Sequence, residues 1–253
     1  MASVKQILTI NNHDRVVIAG GSESGKSTIA AGSKDFAFNN TILGRFHYNY
    51  KDSKILIVDS KPRFRAQYKT NGLSDKKTYA SWSHGAYIPT SIRCDLTIED
   101  LDLALARSNI VICQSDDIDN EYVAVANLIN HFRNNANTSE SRLVFIDEIM
   151  DFYTSNGTPK SGTGNMLIRC ARAGAERNIS TVIATQRLKG IPPQFFELCT
   201  RIYLFRLDYT PDYKRLQEAG APKEFLPPLY NHEFKLWDKK NRDIIEGVYK
   251  IQL

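Results

Sequence analysis

The chain has 253 residues, of which 42% are hydrophobic, and it carries a formal net charge of +5. These values suit a globular α/β protein with a sizeable core, and the mild basic balance permits nucleic-acid binding without requiring it. No apolar run approaches the length of a membrane span and the N-terminus lacks a signal-peptide core, so we expect a soluble, cytoplasmic protein. The four dispersed cysteines form no Cys-X-X-Cys pair, which argues against a zinc site or a disulfide framework.

A glycine-rich segment follows the first predicted strand, residues 15–19. Its glycines and the Lys-Ser pair have the spacing of a P-loop, in which backbone N–H groups and a helix start surround a phosphate chain. We expect Lys26 to reach the β and γ phosphates of ATP and the Ser27 hydroxyl to ligate Mg²⁺. The predicted nucleotide contacts are Gly20, Gly21, Ser22, Glu23, Ser24, Gly25, Lys26, Ser27 and Thr28. The alternative is a Gly/Ser turn before a helix.

Apolar runs and helical patterns alternate along the rest of the chain. Residues 6–10 are expected to add an edge strand, whereas residues 33–53 support no prediction. Further strands are predicted at 54–59, 109–113, 142–146, 179–185 and 201–207, helices at 97–107, 119–133, 166–175 and 211–219, and a terminal hairpin from 232–237 and 243–251. Strands that alternate with helices predict a doubly wound, mostly parallel sheet.

The strand predicted at 142–146 ends in an acidic pair, which is the Walker B pattern. A carboxylate at the tip of a strand beside the phosphate loop can hold Mg²⁺, and Asp147 fits that role. Glu148 is then placed to orient or deprotonate the water that attacks the γ phosphate. The alternative is an ordinary strand that ends in a solvated acid pair.

A polar Thr-Gln dipeptide ends the strand predicted at 179–185. Gln186 could sense the γ phosphate from a neighbouring strand, and the alternative is a strand-end amide that caps a helix. Together with the phosphate loop and the acidic pair, this element indicates a RecA-like additional-strand P-loop NTPase. In that topology another strand lies between the Walker A and Walker B strands.

Five segments, in this order and spacing, resemble the FtsK–HerA superfamily of DNA-pumping ATPases: residues 20–28, 57–62, 145–148, 172–179 and 184–187. The resemblance covers about residues 15–210 and implies one P-loop ATPase domain, with a short C-terminal β-hairpin appendage at about 211–253. It also implies a homo-oligomeric ring, hexameric or pentameric, that threads double-stranded DNA. Small size and the absence of a membrane segment favour the viral genome-packaging members. The alternatives are a plasmid conjugation or segregation motor and a nucleotide-switched assembly protein without motor action.

The resemblance also implies further site residues and partners. In that superfamily an arginine from one subunit completes the neighbour's ATP site, and Arg172 and Arg177 are the candidates. DNA contacts are predicted for Lys61, Arg63, Arg65, Lys69, Lys76, Lys77 and Lys160, the last in a loop at 154–165 that is flexible by composition and could project into a channel. Lys61 could instead support the ATP site, and solvated surface charge is the alternative for the whole set. A portal, a capsid vertex or a membrane anchor protein would be the docking partner, in the host cytoplasm or at a virion vertex.

Overall fold

The computed structural model describes residues 7–33, 35–61, 63–70, 86–114, 117–136, 139–225, 230, 232–240 and 243–250. Lys76 and Lys77 lie outside these described residues. The strands are β1 Arg15–Ala19, β2 Lys54–Asp59, β3 Phe64–Arg65, β4 Tyr68–Lys69, β5 Ala86–Tyr87, β6 Ile92–Cys94, β7 Ile110–Gln114, β8 Arg142–Ile146, β9 Ile179–Thr185, β10 Arg201–Phe205, β11 Glu233–Asp238 and β12 Asp243–Lys250. The helices are α1 Lys26–Ala31, α2 Ile42–Asn49, α3 Ile98–Arg107, α4 Ile118–Asn134, α5 Met166–Arg177, α6 Pro193–Leu198 and α7 Thr210–Glu218.

The main sheet in the described part of the chain has ten strands, in the order β12-β11-β10-β1-β9-β8-β2-β7-β6-β4. From β10 to β4 every neighbouring pair is parallel, whereas β11 and β12 are antiparallel. Strand β9 therefore lies between β1, which leads into the phosphate loop, and β8, which carries the acidic pair. The predicted additional-strand topology is confirmed.

The central strands are apolar because both faces of the sheet are covered. Along β2, Leu56 and Val58 pack into one core cluster with residues of helices α3 to α7, while Ile55 and Ile57 pack into a second cluster with α1 and α2. Because the strands from β10 to β4 are parallel, their carboxyl ends meet at one edge of this three-layer structure. At that edge open α/β sheets bind their ligands.

The predicted C-terminal hairpin is present, and it continues the main sheet. Strand β11 pairs with β10 in antiparallel register, with Tyr203 opposite Leu236. The edge strand expected at residues 6–10 is wrong in its described part, since residues 7–10 form no strand. Side chains of β10 hold that segment instead: the Tyr203 hydroxyl donates to the Ile7 carbonyl at 2.6 Å, and the Arg201 Nη1 donates to the Thr9 carbonyl at 2.5 Å.

Two segments for which no helix or strand was predicted contain hydrogen-bonded structure. Helix α2 lies where no prediction was made, and Thr41 caps it by accepting a hydrogen bond from the Gly44 N–H at 3.1 Å. The loop at 154–165 is a hydrogen-bonded turn, with the Thr154 N–H donating to the Thr158 carbonyl at 2.8 Å. The Lys160 ammonium in this loop lies 5.4 Å from the Tyr122 ring centroid on α4.

Among the described residues, none of the helices combines the length and the apolar character that a bilayer crossing demands.

Candidate active site

The phosphate loop runs between the tips of β9 and β10. The Gly20 N–H donates to the Thr185 carbonyl at 3.2 Å, and the Gly21 N–H donates to the Arg206 carbonyl at 2.8 Å. A Cβ atom at Gly20 would lie 2.5 Å from the Phe205 Cβ, so only glycine fits this approach. Gly25 precedes α1 with φ of +105°, in the left-handed region that glycine adopts without strain. The loop therefore has the curvature that a phosphate cradle requires.

Lys26 is folded back onto the loop, where its ammonium donates to the Gly21 carbonyl at 2.6 Å. The residue is only 5% exposed. Burial lowers the pKa of Lys26 to about 8, although the carboxylates of Glu148 and Asp147 oppose this shift. A lysine so placed holds its charge at neutral pH and can transfer its hydrogen bond from the loop carbonyl to a phosphate oxygen.

Ser27 and Asp147 join the phosphate loop to the tip of β8. The Ser27 hydroxyl donates to Asp147 Oδ1 at 2.8 Å, while Asp147 Oδ2 is buried with no hydrogen-bond partner in the described structure. Burial raises the pKa of Asp147, and the positive charges of Arg63, Lys26 and Lys61 oppose that rise. A hydroxyl beside a carboxylate oxygen with unused acceptor capacity suits Mg²⁺, which prefers oxygen ligands. The residues present fit this ion.

Glu148 is buried next to Asp147 at the same edge of the sheet. Its Oε1 accepts a hydrogen bond from the Met150 N–H at 3.3 Å, which caps the turn that follows. Burial raises the pKa of Glu148, and the negative charges of Asp151 and Asp147 add to the rise. A raised pKa makes the ionised carboxylate a better proton acceptor, as the predicted role demands.

Gln186 is half-buried at the tip of β9, between the loop after β1 and the acidic pair after β8. The chain turns here because the Thr185 hydroxyl accepts from the Arg187 N–H at 3.0 Å. The Arg187 guanidinium then lies 3.6 Å from the Tyr209 ring centroid. These contacts fix the backbone on either side of Gln186, and its phosphate-sensing role stays a prediction.

Asp59, at the tip of β2, was not predicted as a site residue. It is fully buried and accepts hydrogen bonds from the backbone N–H groups of Arg63 and Phe64 and from the Gln114 amide, at 2.8 to 3.0 Å. Burial, and then the charge of Asp147, raises the pKa of Asp59 to about 8. Asp59 shapes the segment after β2. The signal was present in the sequence as an apolar run ending in a carboxylate.

Arg63 was predicted to contact DNA, but its side chain lies at the phosphate loop. Its Nη1 donates to the Ser27 hydroxyl at 3.0 Å, and its Nε lies 3.5 Å from Asp147 Oδ2. Residues 22–28, Arg63 and His232 line one pocket. His232 comes from the segment before β11, and no local sequence pattern marked it.

Arg172 and Arg177 are exposed on α5 and do not line this pocket. Arg177 ends the helix, where its Nη1 donates to the Asn134 carbonyl at 3.1 Å. It therefore lies near the start of β9, roughly 20 Å of strand from the edge that holds the phosphate loop. Arg172 is about 7.5 Å nearer along the helix axis. A role for either arginine requires a second subunit and stays a prediction.

The remaining predicted DNA contacts lie apart from the pocket lining. Arg65 is on β3 and Lys69 on β4, both after the segment that Asp59 holds. Lys61 is exposed, and its positive charge opposes the rise that burial causes in the pKa of Asp147 and Glu148. This supports the alternative that Lys61 assists the ATP site. Their contact with DNA stays a prediction.

Solved structures of two viral proteins share this architecture. The DNA-packaging ATPase from Sulfolobus Turreted Icosahedral Virus matches with a TM-score of 0.60 at 16% identity, over 96% of this chain and 100% of that chain. The genome packaging NTPase from Sulfolobus turreted icosahedral virus 2, in complex with AMPPCP, matches with a TM-score of 0.62 at 14% identity and the same coverage. The fold is that of these packaging NTPases. It is also the fold that the sequence resemblance implied.

The same virus 2 protein in complex with ATP-gammaS matches with a TM-score of 0.59 at 15% identity, so this fold holds nucleotide analogues in those structures. No protein-family model matches the chain. No curated protein matches its sequence either.

Proposed function

We propose that this protein is a Mg²⁺-dependent ATPase that translocates double-stranded DNA as a homo-oligomeric ring, and that it packages a viral genome. The hydrogen bond between Ser27 and Asp147 carries the proposal, because it unites the phosphate loop and the acidic strand into one metal-competent site. The structural neighbours named as packaging NTPases support the choice of DNA as the partner. Residues 1–253 would form a single ATPase domain.

In this proposal the steps of hydrolysis are divided among the residues at the edge of the sheet. The loop N–H groups and the Lys26 ammonium bind the phosphates, and Ser27 and Asp147 would hold Mg²⁺, which when bound neutralises charge on the β and γ phosphates. Glu148 accepts a proton from the attacking water as the new oxygen–phosphorus bond forms. The bond from the γ phosphorus to the ADP oxygen breaks, which releases ADP and inorganic phosphate.

The proposed ring would give the exposed arginines of α5 a function. Neither Arg172 nor Arg177 lines the pocket of its own chain, and both are exposed. In a ring, a neighbouring subunit could place one of them against the γ phosphate, where an added positive charge accelerates phosphoryl transfer strongly. A portal, a capsid vertex or a membrane anchor protein would complete the machine, in the host cytoplasm or at the virion vertex.

The experiment is ATP hydrolysis by the assembled protein with and without double-stranded DNA, alongside a mass measurement of the particle. We expect a ring whose hydrolysis rate rises with DNA, and we expect Lys26→Ala to abolish hydrolysis under both conditions. Absence of any DNA stimulation in an assembled ring would contradict the translocase. Slow turnover without a ring would favour a nucleotide-switched assembly protein.

A further inference from the structure

The side chain of Arg63 reaches the metal-competent pair from a backbone that is firmly held. The Arg63 N–H donates to both oxygens of the buried Asp59, at 3.0 and 2.8 Å. The next N–H, that of Phe64, donates to the same carboxylate at 2.9 Å. The start of the guanidinium arm is therefore fixed relative to β2, and its position beside the phosphate loop follows from the fold.

The guanidinium contacts the same two groups that would ligate Mg²⁺. Its Nη1 donates to the Ser27 hydroxyl at 3.0 Å and its Nε lies 3.5 Å from Asp147 Oδ2. A divalent cation on these oxygens would repel a guanidinium at that distance, because like charges a few ångströms apart disfavour each other. Arg63 and Mg²⁺ thus compete for one position.

Arg63 differs from Arg201, which is enclosed, and from Arg187, which is 42% exposed beside a buried carboxylate but does not line the phosphate pocket. The Arg201 side chain, which pairs with Asp14 and Asp238, is 14% exposed and enclosed by its partners. The Arg63 side chain is 41% exposed and lines the phosphate pocket. A half-exposed side chain can change its conformation without opening a cavity, and the pocket in front of it would receive the phosphates.

We propose that Arg63 is a phosphate-binding residue of its own subunit, and that its guanidinium passes from Ser27 and Asp147 to the terminal phosphate when the magnesium–nucleotide complex binds. The guanidinium geometry matches phosphate oxygens and makes strong charge-assisted hydrogen bonds. This inference rests on the proposed function, because it requires that the loop bind a nucleoside triphosphate. Arg63 would thus supply a positive charge from the same subunit, in addition to the arginine expected from a neighbouring subunit.

The test compares triphosphate with diphosphate affinity by calorimetry. Arg63→Gln should weaken binding of AMPPCP with Mg²⁺ relative to ADP with Mg²⁺ by about 10- to 100-fold, the range for a lost charge-assisted hydrogen bond. It should not weaken ADP with Mg²⁺, because the substitution also removes the charge that competes with the metal. Arg63→Lys should recover part of the loss. Lys51→Gln removes an exposed charge ahead of β2, at the opposite edge of the sheet, and should change neither affinity.

If Arg63→Gln weakens the binding of AMPPCP and of ADP equally, Arg63 only maintains the shape of the site. If the AMPPCP affinity is unchanged, Arg63 does not contact the terminal phosphate. Either result overturns the inference while leaving the proposed function intact. Failure of the unsubstituted protein to bind AMPPCP would instead contradict the proposed function, and the inference with it.

A second measurement needs no substitution. In a structure of the protein with AMPPCP and Mg²⁺, the Arg63 guanidinium should lie about 3 Å from a terminal phosphate oxygen and away from Asp147. A guanidinium that remains on Asp147 in that complex overturns the inference.

Discussion

The charge of Lys26 should control how tightly the phosphate loop holds a nucleotide. Burial lowers the pKa of this lysine to about 8. Bound phosphates would stabilise the ammonium, so above pH 8 binding must take up a proton. Affinity for a triphosphate is therefore expected to be highest below pH 8 and to fall as pH rises.

The expected size of this effect follows from the pKa. With a pKa of about 8, the protonated fraction is about 76% at pH 7.5 and about 3% at pH 9.5. Affinity should therefore fall about 25-fold between these values, or about 2 kcal/mol of binding free energy. Lys26→Arg keeps its charge throughout this range and should show a shallower profile, whose remaining slope reports other groups that titrate here, such as the buried Asp59.

The assay is calorimetric titration of AMPPCP from pH 7.5 to 9.5 in EDTA. Chelation removes metal binding from the comparison, which matters because burial also raises the pKa of Asp147. Two results would refute the reasoning. One is an AMPPCP affinity of the unsubstituted protein that changes by less than about threefold over this pH range, and the other is an equally steep fall of affinity with pH in Lys26→Arg. Either result would mean that the Lys26 amine does not titrate in this range or does not meet the phosphates.

Two further predictions concern the loop and the ring. Gly20→Ala places a Cβ 2.5 Å from the Phe205 Cβ, so we expect a loss of about 1–3 kcal/mol in stability and of AMPPCP binding. Gly220→Ala has nothing within 4 Å of its Cβ but holds alanine at a φ of +80°, so it should also lose stability yet bind AMPPCP normally; equal binding by both variants would contradict this. Arg172→Ala or Arg177→Ala should bind ATP yet fail to turn it over in the ring, and normal turnover by both would exclude a shared site.

The fold was predictable because its signals are local and repeated. The apolar runs of β1, β2, β8 and β9 lie where the sequence indicated, and α3 starts near its predicted position, where Thr97 caps it by accepting from the Asp100 N–H at 3.2 Å. Residues 7–10 were wrongly predicted as a strand because distant side chains of β10 hold this segment, and no local pattern shows those contacts. Helix α2 is short, and it packs closely because Gly44 leaves room for the Phe38 carbonyl.

Some residues of the candidate site were also predictable from the sequence, whereas the position of others was not. Lys26, Ser27, Asp147 and Glu148 were predictable, because each follows an apolar strand within a short motif. The position of Arg63 was not, because a basic segment with interleaved aromatics has the same pattern whether it faces DNA or a phosphate loop. Only the hydrogen bonds of Asp59, which turn the chain after β2, distinguish the two.

The residues of the site also explain why binding and hydrolysis should be separable. The phosphate cradle consists of backbone N–H groups and Lys26, whereas Glu148 follows a different strand, β8, and its Oε1 accepts from the Met150 N–H outside the loop. A change at Glu148 that preserves its volume should therefore leave the cradle intact. This separation gives the central claim its most direct test.

That test is Glu148→Gln, measured for ATP affinity and for DNA-stimulated hydrolysis in the same preparation. The account predicts affinity within about threefold of the unsubstituted protein and hydrolysis slower by about 10²- to 10⁴-fold, the contribution of a positioned general base. Hydrolysis within about tenfold of the unsubstituted rate would contradict the assignment of Glu148 as the base, and with it the site as described.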